Sequence, residues 1–388
     1  MKILSTADLG LRNHSFGGID SVTGLNKRFL DIYQTFIEIV DLAIKDKYDF
    51  LVIAGDINEE RNPESILIEY FCIQIKRLID ADIKTIIVAG NHDVNSAASS
   101  STSISYLKTL NLPNLYIADK SIERFEFEEY DITFHCYPYF MKETLGFSTN
   151  DELTSYLNEK ISNPVKTTNH NVLVAHYSTD KVFEGLNVDE PVIKTSSMTS
   201  NIYAYISLGH IHTYTDYANC DVIGGYPGSI YIKDFGENSD KFINSLELTN
   251  KTLTLNKIKL SAREFKEYTL DIRDKALTTN EEIYDLIKSN LKGDITDKVV
   301  KLNIVSTRRF NPKPIYEFLR NEKVFHYVPI SWSIINDKKD VKINNISTSN
   351  DDSIIKQYLE TLKLDSNRQN NMYKFIKEII DESTKISC

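Results

Sequence analysis

The chain has 388 residues, too many for one ordinary core, so two or three domains are expected. Hydrophobic residues make up 41% and charged residues 26%, as in a water-soluble globular protein, and the net charge of −10 argues against a generally basic nucleic-acid coat while leaving room for a local basic groove. The four scattered cysteines (Cys72, Cys136, Cys220, Cys388) form no C-x-x-C, no apolar run approaches the ~18–20 residues of a membrane span, and Met1-Lys2-Ile3-Leu4 runs directly into a strand, so a reduced cytoplasmic protein without signal peptide or membrane segment is expected.

Residues 2–7 read as a buried strand. Phe29, Tyr33, Phe36, Val40 and Ile44 recur at helical spacing within 26–46. A strand over 50–54 follows, then a helix starting near Pro63-Glu64 and running to about Ile79, then a strand over 84–89. This βαβαβ order implies parallel strands with helices packed on the sheet, and ligands at the carboxyl ends of the strands. Residues 96–103 are serine-rich and read as a surface loop, or as a loop at the edge of a substrate site. Short antiparallel strands are expected over 115–137, a helix over 150–161, further strands at 171–175 and 204–208, and a run of strands over 221–258 broken by Gly224-Gly225-Tyr226-Pro227-Gly228-Ser229. The character changes near 260. Residues 263–346 read as a compact α+β unit with strands at 298–305 and 326–335 and a short helix near 314–320. A polar linker at 344–350 leads to two amphipathic helices, 351–363 and 366–381.

Five of the strand ends carry polar chemistry. Asp8 follows Ile3-Leu4-Ser5-Thr6-Ala7, Asp56 follows Leu51-Val52-Ile53-Ala54-Gly55, and Asn91-His92-Asp93 follow Ile86-Ile87-Val88-Ala89-Gly90. His176 follows Val172-Leu173-Val174-Ala175, and His210 and His212 follow Tyr205-Ile206-Ser207-Leu208-Gly209. Alone, each Asp reads as a turn or helix cap and each His as a packed residue. Together they have one economical explanation, a two-metal site that cleaves a phosphoester. A carboxylate suits the bridge because both oxygens coordinate and its charge offsets cation repulsion. Imidazole and amide oxygen complete a set suited to manganese, iron or zinc. His92 directly follows a ligand in the same loop, so it is the candidate for binding the scissile phosphate or protonating the leaving oxygen. His135, His170 and His326 read as ordinary surface or packed residues.

The order of these motifs resembles the calcineurin-like metallophosphoesterases. Within them, Leu4-Ser5-Thr6-Ala7-Asp8, Gly209-His210-Ile211-His212, Tyr226-Pro227-Gly228-Ser229 and Phe235-Gly236-Glu237 are similar to the SbcD nuclease family, the bacterial and phage counterpart of the eukaryotic meiotic recombination eleven nuclease. The resemblance covers residues 1 to about 240 by motif. It implies a four-layer αββα nuclease domain over 1–262, a small α+β capping domain over 263–346, and a C-terminal helical tail over 347–388 that docks on an SbcC-like coiled-coil ATPase. It also implies a homodimer within a heterotetramer, DNA as substrate, Mn2+ as the working metal, and a cytoplasmic, nucleoid-associated location in a bacterial or phage-infected cell. One metal would be held by Asp8, Asp56 and His212 and the other by Asp56, Asn91, His176 and His210, with Asp56 bridging and His92 acting in the transition state.

One position departs from the family pattern. Where the family has Asp-x-His-Leu-Gly, this chain reads Asp8-Leu9-Gly10-Leu11-Arg12. Water could fill the vacated ligand position, His14 could swing in, or the first site could be degraded. On this expectation Gly10→His restores the ligand and tightens the first metal. Rival functions are a phosphoesterase for a small molecule or phosphoprotein, and a catalytically weakened subunit that only tethers DNA.

Overall fold

The computed structural model describes residues 1–335 apart from 15, 95–101, 183–188, 218–221, 238–239, 250–251 and 274–278. The expected linker and two tail helices, and most of the serine-rich loop, lie outside the described residues. In chain order the elements are β1 (Lys2–Thr6), α1 (Lys27–Lys45), β2 (Phe50–Ala54), α2 (Ser65–Asp80), β3 (Lys84–Val88), α3 (Ser105–Thr109), β4 (Leu115–Ala118), β5 (Glu123–Phe127), β6 (Ile132–Tyr137), α4 (Asn150–Ser162), β7 (His170–His176), β8 (Ser178–Thr179), β9 (Val192–Ile193), β10 (Tyr205–Gly209), β11 (Thr215–Asp216), β12 (Gly224–Tyr226), β13 (Phe242–Thr249), β14 (Thr252–Lys259), β15 (Phe265–Asp271), α5 (Asn280–Leu291), β16 (Val299–Ser306), α6 (Lys313–Asn321), β17 (His326–Tyr327) and β18 (Ser331–Ile334).

Two six-stranded sheets form the first 260 residues, in the orders β14-β13-β1-β2-β3-β4 and β11-β12-β10-β7-β6-β5. Strands β1 to β4 run parallel, as the βαβαβ pattern predicts. The expectation of antiparallel strands over 115–137 holds only for β5 and β6. β4 instead extends the first sheet in parallel beside β3, because α3 provides the crossover that returns the chain to the same edge. Helices α1 and α2 cover the outer face of the first sheet through Phe29, Ile32, Phe36, Phe71 and Ile75, and α4 covers the second through Leu153, Leu157 and Ile161. The layers are therefore helix, sheet, sheet, helix. Asn26 accepts the Phe29 N–H at 3.0 Å to cap α1, and Thr149 with Glu152 forms a capping box on α4.

The core between the sheets tapers along the strands. Inward positions read Ile3, Ser5, Ala7 on β1 and its exit, Phe50, Val52, Ala54 on β2, and Tyr205, Ser207, Gly209 on β10. At the wide end Phe50 packs against Phe127, Tyr130 and Phe134 with ring centroids 4.9–5.1 Å apart. Further along, the Ser5 and Ser207 hydroxyls bond across the gap at 2.7 Å. Large residues hold the sheets apart at one end and small ones let the carboxyl ends close on each other.

A separate small core lies in the third sheet, β15-β16-β17 with β18 also on β16, backed by α5 and α6 through Ile283, Ile287, Ile315 and Leu319. β15 and α5 were not among the expected elements. A capping box of Thr279 and Glu282 marks the start of α5 and was legible in the sequence. Arg263 joins this unit to the core by pairing with Asp31 on α1 at 2.7 Å.

Candidate metal centre

The strand ends of both sheets meet at the narrow end of the taper. Ala54 on the first sheet offers its carbonyl to His176 Nδ1 on the second at 2.8 Å. Glycine is required for this approach. A Cβ on Gly209 would fall on the Ala54 carbonyl, one on Gly55 would strike the His176 ring, and one on Gly90 would strike the Asp56 carboxylate. The glycines before Asp56, Asn91 and His210 are thus packing requirements. Asp8 (φ 51°), Asp56 (φ 51°) and His210 (φ 101°) all sit in the left-handed region. That strain is held by the surrounding hydrogen bonds, and such strain concentrates at functional sites.

Asp8, Asp56 and His176 each present a ligand atom within 4.8 Å of the others, and all three are buried. Asp56 accepts the His92 N–H at 2.9 Å with one oxygen and lies 3.3 Å from His176 Nε2 with the other. The Asn91 amide oxygen stands 3.0 Å from His176 Nε2 and 2.9 Å from His210 Nδ1. Both Asp8 oxygens receive the His210 backbone N–H, at 3.1 and 3.2 Å. Asp56, Asn91, His176 and His210 therefore converge. Asp8 lies beside Asp56 and His176, while His212 is placed by its own partner, Glu237. For His92 the structure fixes the main chain, through the bond to Asp56.

Each histidine is oriented from its far side. His176 Nδ1 meets the Ala54 carbonyl, His210 Nε2 lies 3.4 Å from Glu190, and His212 Nδ1 lies 3.0 Å from Glu237. Partners of this kind fix the ring and raise the basicity of the nitrogen left for a ligand role. Asp93 anchors the Gly90–Asp93 loop. Its buried carboxylate accepts the Gly90 N–H at 2.9 Å and the Ser103 hydroxyl at 3.0 Å, with longer bonds from Ile57 and Asn58. Glu190 and Lys241 had no signal in the sequence. Glu237 belongs to the Phe-Gly-Glu motif, and its contacts give that motif a physical purpose.

Electrostatics show a site short of positive charge. Burial raises the Asp8 pKa despite the nearby histidines. Burial also opposes the charged form of Asp56, but His176 and the His92 N–H outweigh it and the pKa is lowered. For His176, burial is outweighed by Asp56 and Asp8, and the pKa rises to about 9. Asp93 is pushed up to about 7 by burial and by Asp56. Two buried carboxylates, three imidazoles and an amide oxygen in one place form a donor set that fits divalent cations.

Position 10 is resolved by a residue the sequence did not suggest. A Cβ built on Gly10 (φ +58°) would lie 2.5 Å from the hydroxyl and 2.7 Å from Cζ of buried Tyr231. The expectation that Gly10→His restores a ligand is corrected accordingly, because Tyr231 fills that space and the left-handed backbone adds strain. His14 is also buried. Its ring packs edge-on to Tyr231 at 6.2 Å and its Nε2 has no hydrogen-bond partner among the described residues. Burial, with Arg12, Arg28 and Lys233 around it, lowers its pKa to about 3.

Fold and site together define a phosphoesterase architecture. The profile of the calcineurin-like phosphoesterase family matches residues 1–214, and the chain belongs to that family. Its curated relatives narrow the comparison. It is 24% identical over 307 residues to the DNA double-strand break repair protein Mre11 of Sulfolobus acidocaldarius, spanning 76% of this chain and 72% of that one. The Mre11 proteins of Methanocaldococcus jannaschii (23% over 381 residues, 92% and 93% of the two chains) and Saccharolobus solfataricus (23% over 406 residues, 98% and 97%) match along nearly their whole length. Among the described residues no helix is long and apolar enough to cross a membrane.

Proposed function

We propose that this chain is the nuclease subunit of a DNA end-processing complex, hydrolysing phosphodiesters with two divalent cations, most simply Mn2+. The observation that carries this is the convergence of Asp56, Asn91, His176 and His210 beside Asp8, with each histidine braced from behind. Asp8, Asp56 and His212 would hold one cation and Asp56, Asn91, His176 and His210 the other. Bound there, the cations supply water activation and charge neutralisation on the phosphoryl oxygens. Asp56 would serve both cations, its carboxylate held in place by the His92 N–H. His92 would bind the scissile phosphate or protonate the leaving oxygen. DNA as the substrate is supported by relatives named for DNA double-strand break repair that match across 72% to 97% of their own length.

The same reading divides the chain into a nuclease domain (1–262), a capping domain (263–346) and a tail (347–388) that docks on an SbcC-like coiled-coil ATPase. The assembly is a heterotetramer built on a homodimer of this chain, in the cytoplasm and at the nucleoid. Incubation with end-labelled duplex in manganese tests the chemistry. Asp56→Ala should lose metal and activity together. His92→Ala should keep its metal and lose most turnover. Near-native rates in metal-replete His92→Ala would overturn its catalytic role. Faster turnover of a simple aryl phosphate diester than of duplex DNA would favour a small-molecule phosphoesterase instead.

A further inference from the structure

Building on the two-cation centre proposed above, we propose that Tyr231 supplies the donor that Gly10 lacks, its phenol oxygen serving as a ligand of the first cation. Glycine at position 10 and tyrosine at position 231 form a spatial exchange. The tip of the ring occupies the space that the root of any residue-10 side chain would fill, with the hydroxyl 2.5 Å from an ideal Cβ there. The backbone holds this arrangement. Gly10 N–H bonds to the Asp56 carbonyl at 3.1 Å, and Ile230 N–H reaches the Asp8 carbonyl at 3.4 Å, so Tyr231 is attached directly to the strand end that carries Asp8. Its ring centroid lies 6.4 Å from that of His212, the imidazole assigned to the same cation.

Two further observations point the same way. Tyr231 is 2% exposed, and among the described residues its hydroxyl makes no hydrogen bond. The oxygen is not among the fully enclosed atoms without a partner, so it borders open space that a cation would fill. The other candidate, His14, stands among Arg12, Arg28 and Lys233; Arg28 also lies 5.8 Å over the Tyr231 ring, and what separates the two side chains is the Tyr231 hydroxyl's place against Gly10. A phenol oxygen is a hard donor of the kind manganese and ferric iron accept. Coordination as phenolate forms the oxygen–metal bond as the O–H bond breaks, and the proton leaves to solvent.

Equilibrium dialysis of the metal-stripped full chain against Mn2+, with an absorption spectrum of the ferric-loaded form, tests this. Native protein should bind two Mn2+. Tyr231→Phe, which keeps the ring and its packing, should bind one of them at least about tenfold more weakly. Native ferric protein should show a visible phenolate-to-iron band that Tyr231→Phe lacks. Gly10→His should not tighten binding on its own, whereas Gly10→His with Tyr231→Ala should recover manganese affinity without the band. Native affinity for both ions in Tyr231→Phe, or a native ferric protein without the band, overturns the assignment and leaves the metal centre standing. Failure of native protein to bind Mn2+ at all overturns both.

Discussion

Replacing Glu237 with glutamine separates the bracing of His212 from the fold in a measurable way. The carboxylate contacts His212 Nδ1 at 3.0 Å, Lys241 Nζ at 2.7 Å and the Lys233 N–H at 3.1 Å. Burial alone would raise its pKa, but His212 and Lys241 outweigh it and hold it at about 2, against an ordinary 4.5. At ~1.36 kcal/mol per unit the shift corresponds to about 3 kcal/mol, and partial solvent access reduces this to about 2. Lys241 adds to the loss because it is buried. It keeps the Ser229 hydroxyl at 2.8 Å and the His212 carbonyl at 3.1 Å but loses its counter-charge. A destabilisation of about 2–3 kcal/mol at pH 7 is expected from urea unfolding of the metal-free protein. The sign follows from the lowered carboxylate pKa. The stabilisation is fully present above pH 4.5 and is lost as pH falls towards 2, so the gap to Glu237→Gln should be constant from pH 7 to 5 and shrink below that. Manganese affinity should fall by about 10- to 100-fold, as for loss of an outer partner of a ligating histidine. Adding Lys241→Met to Glu237→Gln should recover much of the stability and none of the manganese affinity. A folded Glu237→Gln with native manganese affinity, or a stability gap that widens on acidification, would refute the reasoning.

Three other outcomes are expected. Because the His176 pKa is raised to about 9 in the metal-free site, its pairing with Asp56 is fully stabilising below pH 6.5 and fades as pH rises through 9. A cation must displace that proton, so manganese affinity should rise about tenfold per pH unit from 7 to 9 and then level, with proton release detected by calorimetry in buffers of different ionisation enthalpy. A pH-independent affinity would contradict it. Gly209→Ala should cost at least about 2 kcal/mol in urea unfolding and abolish metal binding, since its Cβ lands on the Ala54 carbonyl and the His176 ring; a stable, metal-binding variant would show that the sheets part more easily than the geometry implies. Removing residues 349–388 should leave a folded, metal-dependent enzyme that no longer co-purifies with its ATPase, and a truncation that still captures the partner would rule out the docking role.

The amino-acid sequence by itself determined the polar strand ends and the parallel first sheet with helices packed on it. Apolar runs such as Leu51-Val52-Ile53-Ala54 define buried strands, the helical spacing from Phe29 to Ile44 defines α1, and parallel sheets put functional residues at strand carboxyl ends. These are local rules, and Asp8, Asp56, Asn91, His176 and His210 obey them. The taper from Phe50 to Ala54 and from Tyr205 to Gly209 was also written in the chain, although its meaning appears only when two sheets are laid face to face. The direction of β4 and the presence of β15 were missed because short strands carry little periodicity and their partners are chosen by tertiary pairing, whereas α5, with its Thr279–Glu282 capping box and Ile283, Ile287 and Leu291 at helical spacing, was legible and overlooked. The tertiary structure alone decided what stands behind these strand-end side chains. Glu190 reaches His210 from 20 residues earlier in the chain, Glu237 reaches His212 from 25 residues later, and Tyr231 fills a gap left at position 10. No periodic pattern encodes these meetings, because they arise from the volume left between packed elements, and a glycine's missing side chain becomes visible only in the residue that has moved into its place.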